Sequence, residues 1–91
     1  MSGLVRRRVV VHGYVQGVFF RDTTRREARR RGVAGWVSNR RDGSVEAVFE
    51  GEPEAVAEMV RFCERGPRGA DVARVDVSEE LVEGLSGFEI R

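Results

Sequence analysis

Apolar residues alternate in several short runs of the chain and recur at helical spacing in two longer stretches. Leu4 to Tyr14 alternates around Val9-Val10-Val11 and reads as a strand. Val9, Val11 and Gly13 fall on one face, and Val10, His12 and Tyr14 on the other. Asp22 to Arg31 contains no Gly or Pro, and Phe20, Thr24 and Ala28 recur at i, i+4 and i+8. This spacing predicts a helix from Phe20 to about Arg31, ended by Gly32 at C′. Val33 to Asn39 and Ser44 to Glu50 read as strands around the turn Arg40-Arg41-Asp42-Gly43, where Asp-Gly is a hairpin signal. In the later strand, Val45, Ala47 and Phe49 share one face, and Glu46, Val48 and Glu50 the other. Glu52-Pro53-Glu54 opens a second helix with the stripe Val56, Met59, Val60 and Cys63, widened by Ala55 and Phe62. Gly66-Pro67 stops it. Ala70 to Val77 predicts a fourth strand with Val75 and Val77 inward, Ser78 to Ser86 a polar loop, and Phe88 to Arg91 a short terminal strand.

Two crossover units interleaved in this order predict an α+β fold, the ferredoxin-like split βαβ sandwich (βαββαβ). Its antiparallel sheet carries both helices on one face. Ninety-one residues suffice for a single domain over 1–91 with a modest core. Such a scaffold hosts many activities, so function has to come from particular residues.

Composition narrows the classes. A hydrophobic share of 41% with 34% charged residues fits an ordinary globule, and no apolar run is long enough to span a membrane. Cys63 is the only cysteine, so an internal disulfide is impossible and the cytoplasm is the expected location. The net charge of +1 makes no bulk electrostatic case for nucleic acid. Arg6-Arg7-Arg8 reads as a solvated lead-in to the first strand, and the arginines of the first helix as a solvated face. On that helix Asp22 with Arg26 and Glu27 with Arg31 stand at favourable i, i+4 spacing. His12 has no second histidine or carboxylate–thiol cluster at metal spacing, and is read as structural.

The candidate chemistry lies in Gly13-Tyr14-Val15-Gln16-Gly17-Val18-Phe19-Phe20-Arg21, a tight passage from strand to helix. Glycine takes positive φ without steric cost, so Gly17 in mid-turn lets successive N–H groups face one concave space. Such a nest beside a helix N-terminus attracts anions. Arg21 in the first helical turn opposes the helix dipole, an arrangement that an anion bound there would offset.

Val15-Gln16-Gly17-Val18-x-Phe20-Arg21 resembles the signature of the acylphosphatase family, with Phe19 at the variable position. Gly35-Trp36-Val37-Ser38-Asn39 resembles a second string of that family, and the likeness covers nearly the whole chain. It implies hydrolysis of a small acyl phosphate to a carboxylate and inorganic phosphate. It implies strand order 4-1-3-2, a phosphate cradle of N–H groups from Gln16, Gly17, Val18, Phe19 and Phe20 with the Arg21 guanidinium, and an attacking water oriented by Asn39. Arg21 and Asn39 are thus the expected catalytic side chains. No metal or cofactor, no nucleic acid or membrane partner, and a monomeric state are expected. Two rivals remain at this point. One is a base-stacking RNA binder, although Phe49 is the only aromatic in the third strand. The other is a standalone relative of acylphosphatase-like domains kept for recognition rather than turnover.

Overall fold

The computed structural model describes residues 3–91. In chain order they form β1 (Val5–Tyr14), α1 (Phe20–Arg30), β2 (Ala34–Asn39), β3 (Val45–Gly51), α2 (Pro53–Arg65), β4 (Asp71–Glu80) and β5 (Phe88–Ile90). The sheet order is β4-β1-β3-β2-β5. The expected order 4-1-3-2 is present, extended by β5. The expectation of an antiparallel sheet needs correction there: β2 and β5 run parallel, with Gly35 opposite Phe88 and Val37 opposite Ile90. The chain leaves β4 at one edge, crosses to the other and pairs there by N–H bonds from Gly35 to the Gly87 oxygen and from Arg91 to the Val37 oxygen, each 2.9 Å.

One apolar cluster joins the sheet to both helices, uniting Val9, Val11, Val37 and Phe49 with Phe20 and Ala28 of α1 and Val56, Met59 and Cys63 of α2. The helical stripes therefore bury as their spacing requires. At the end of α1, Val33 N–H reaches the Ala28 oxygen and Gly32 N–H the Arg29 oxygen, a Schellman closure that turns the chain into β2. Asp22 pairs with Arg25 rather than Arg26, at 3.2 Å, while Glu27 accepts from both Arg30 and Arg31. Fully buried Cys63 sits among apolar neighbours, and desolvation pushes its thiol well above the ordinary range.

Two expectations about polar segments fail for one reason. Residues 78–80 continue β4 instead of opening a loop, because Arg6, Arg7 and Arg8 lie opposite Glu80, Glu79 and Ser78. Arg6 is correspondingly not solvated: it is 7% exposed and bonds both Glu50 and Glu80 at 2.8 Å. Glu50 in turn accepts N–H bonds from Glu83, Gly84 and Leu85, so the chain beyond β4 folds over the sheet face away from the helices. Val77, opposite Val9 on the helix side, is 46% exposed because β4 is the sheet edge.

Candidate active site

The passage from β1 to α1 departs from regular structure for reasons visible in its backbone. A register shift falls between His12 and Gly13 where β1 pairs with β4. A Cβ on Gly13 would overlap the Asp71 carbonyl oxygen, so this glycine serves the close approach of two strands. Gly17 differs. It has open space around it but takes φ 76°, so its freedom is used for chain direction. Phe19 follows in the left-handed region, at φ 62° and ψ 28°, as the residue that caps α1. Its carbonyl accepts from Thr23 N–H at 3.0 Å, and no side chain caps the helix. Among the described residues, the N–H groups from Gly17 to Asp22 meet no protein acceptor. Six donors in succession thus stand free at a turn and a helix N-terminus.

A cleft of about 370 Å³ opens at this point. Gly17, Phe19 and Arg21 line it from the loop and the start of α1, Asn39 from the end of β2, Ile90 from β5, and Val15 from below. Phe20 and Asp22 complete the wall. Arg21 is half-buried and, among the described residues, makes no ion pair. The nearby carboxylate of Asp22 is engaged with Arg25. The cleft therefore presents an uncommitted guanidinium beside free N–H donors, an arrangement suited to a multiply charged oxyanion.

The residues singled out in the sequence divide here. Gly17, Phe19, Phe20, Arg21 and Asn39 come together on one cleft, although β2 and the loop are distant in the chain. The side chains of Gln16 and Val18 do not join them. Val18 packs against the core. Gln16 turns its amide to the β2–β3 hairpin and donates to the carbonyl oxygens of Arg40 at 2.7 Å and Ser44 at 3.0 Å. The hairpin is braced from within, as Asp42 accepts from both the Ser44 N–H at 2.9 Å and its hydroxyl at 2.5 Å. Those two bonds hold the Asp42 carboxyl below its usual range, against a slight opposing effect of burial.

Ile90 carries no mark of the site in the sequence. It reaches the cleft only because β5 crosses to pair with β2, and an apolar residue in an alternating terminal run gives no local sign of that. His12 is placed away from the cleft lining, with Nε2 3.1 Å from Asp76 Oδ2 and 3.2 Å from an Arg74 nitrogen. Among the described residues, no three His, Cys, Asp or Glu side chains gather as a metal site.

Comparison with known proteins points the same way. The acylphosphatase family model matches residues 7–90, a span that includes the Gly17 loop, the Asn39 hairpin and β5. An acylphosphatase of Rubrobacter xylanophilus is 60% identical over 85 residues, covering 92% of this chain and 77% of the relative. One from Gloeobacter violaceus is 53% identical and covers 99% of this chain and 97% of its own length. Among solved structures, an acylphosphatase from Coxiella burnetii superposes with a TM-score of 0.93 at 38% identity, over 97% of this chain and 93% of that one. A whole-length match of this kind, running through both strings that meet at the cleft, establishes that the chain belongs to the acylphosphatase family.

Proposed function

We propose that this protein hydrolyses the carboxyl–phosphate anhydride of small acyl phosphates, releasing a carboxylate and inorganic phosphate. The observation that carries this reading is the meeting of free N–H donors, the unpaired Arg21 and Asn39 on one cleft in a member of this family. The N–H groups from Gln16 to Phe20 and the guanidinium hold the phosphoryl oxygens. The Asn39 amide orients a water opposite the acyl oxygen. The water oxygen bonds to phosphorus as the bond from phosphorus to the acyl oxygen breaks. The carboxylate leaves with the electron pair, and the proton released from the water passes to solvent or to the phosphate product. A loose phosphoryl-transfer transition state needs positioning and charge stabilisation more than covalent help. The carboxylate is a weak base and leaves without a general acid, so no His–Asp or Cys–His constellation is required.

The buried, unpaired Cys63 fits a reducing compartment such as the cytoplasm. The test is release of inorganic phosphate from acetyl phosphate and benzoyl phosphate by the purified protein, with and without EDTA. Turnover unaffected by EDTA is the expected result. No turnover of either compound refutes the reading, and loss with EDTA that a divalent ion restores refutes the metal-free mechanism.

A further inference from the structure

Phe19 combines three properties that its backbone role does not explain. It is the one non-glycine residue at positive φ among the described residues, a conformation that glycine adopts freely and a Cβ disfavours. The residue is 77% exposed and lies outside the core cluster. Phe19 also lines the cleft, alongside Gly17 and Arg21. An exposed apolar side chain alone needs no explanation, as Leu81 and Tyr14 illustrate off the cleft. Backbone strain, exposure and a place on a binding wall together mark a side chain whose favourable contacts form only when the cleft is filled.

We propose that the Phe19 ring is the acyl-group platform of the site, and that with Ile90 it makes the protein prefer apolar, above all aromatic, acyl phosphates. This rests on the acyl-phosphate reading given above. With the phosphoryl group on the loop N–H donors and Arg21, the water on Asn39, and Asp22 paired with Arg25, the accessible apolar part of the wall left to the acyl group is Phe19 and Ile90, Val15 being fully buried. A planar aroyl group offers the Phe19 ring a stacking or edge-to-face partner and removes exposed apolar surface on both sides from water. An acetyl group is too small to cover the ring. Apolar pockets discriminate weakly, by about tenfold to two-hundredfold for small differences in size, so the preference is graded rather than absolute.

The test compares kcat/KM for benzoyl phosphate and acetyl phosphate in wild type, Phe19→Gly, Phe19→Ala and Phe19→Tyr, each variant's ratio being divided by that of wild type. Both variants without a ring should lower the benzoyl-to-acetyl ratio about tenfold, chiefly through KM for benzoyl phosphate. Phe19→Tyr should keep the ratio within twofold. Glycine relieves the backbone strain and alanine retains it, so a drop shared by both follows the ring. A ratio within twofold of wild type in either ringless variant overturns the proposal. So does a ratio that falls equally in Phe19→Tyr. Absence of turnover of both substrates in wild type refutes the acyl-phosphate reading itself, and this inference with it.

Discussion

Gln16 reaches from the β1–α1 loop to the hairpin beyond β2, its amide nitrogen 2.7 Å from the Arg40 carbonyl oxygen and 3.0 Å from that of Ser44. The loop carries the free N–H donors and leads into Arg21, while the hairpin begins directly after Asn39. One side-chain amide therefore ties together the two segments that the proposed reaction must hold in register. Arg40 and Ser44 also close the hairpin, with Arg40 N–H donating to the Ser44 oxygen at 2.8 Å.

Replacing Gln16 should uncouple the two halves of the cleft. Gln16→Ala removes two hydrogen bonds worth roughly 0.5–1.5 kcal/mol each. Gln16→Glu is the sharper variant, because an ionised carboxylate can only accept and would face two carbonyl oxygens. Both should lower kcat for acetyl phosphate by more than tenfold, with Glu worse than Ala, while the fold persists by circular dichroism. Equal activity of Gln16→Glu and wild type would show that the tie does not position the site.

Arg21 and Asn39 have different proposed partners, so their loss should be separable. Arg21 holds phosphate in the ground and transition states alike, whereas Asn39 holds a water that matters only during attack. A ligand at a hundredfold excess over its Kd stabilises the folded state by about 2.7 kcal/mol. Each kcal/mol raises the Tm of a domain this size by roughly 4–8 °C. Phosphate should raise the Tm of wild type and Asn39→Ala alike, and that of Arg21→Ala little more than a matched chloride salt does. Both variants should be nearly inactive. Protection that survives in Arg21→Ala and fails in Asn39→Ala would reverse the two roles.

Gly17 has open space around it, so a Cβ there meets no neighbour; the penalty comes chiefly from φ 76°. Gly17→Val should force the turn out of this conformation at a cost of about 1–3 kcal/mol and scatter the N–H donors. Hydrolysis should fall at least a hundredfold, with a Tm loss of roughly 4–24 °C. Near-normal turnover would place the phosphate elsewhere.

Glu50 predicts an acid limb of stability. Burial acts to raise its carboxyl, but the N–H donors of Glu83 and Leu85 together with Arg6 outweigh that and hold it below the usual carboxylate range. The unfolded chain therefore binds this proton at higher pH than the folded one. The stabilisation is fully present above the ordinary glutamate range, and is lost as pH falls through the depressed folded value. Glu50→Gln should cost about 3 kcal/mol at neutral pH, since it leaves Arg6 without one partner of a buried ion pair. The gap to wild type should narrow below about pH 4.5. Urea unfolding at a series of pH values measures both, and a constant gap would remove Glu50 from the acid limb.

The chain's own pattern determined the elements and much of the candidate site. Period-two runs place Val9, Val11, Val45, Ala47 and Phe49 inside, and the Phe20–Thr24–Ala28 and Val56–Met59–Cys63 stripes face them, because both periodicities are local and need only a core to point at. The Gly17 turn was equally legible, since a positive φ leaves its mark on the residue that adopts it. Tertiary structure decided what depends on segments remote in sequence. Arg6 read as a solvated cation until Glu50 and the chain after β4 closed over it. Residues 78–80 read as loop because the arginines that extend β4 lie some seventy positions earlier. The parallel β5 and the arrival of Ile90 at the cleft follow from a crossover between sheet edges that no local residue announces. The left-handed Phe19 escaped the sequence for the opposite reason: a Cβ disfavours that backbone, so only the packing of the surrounding loop and helix could impose it.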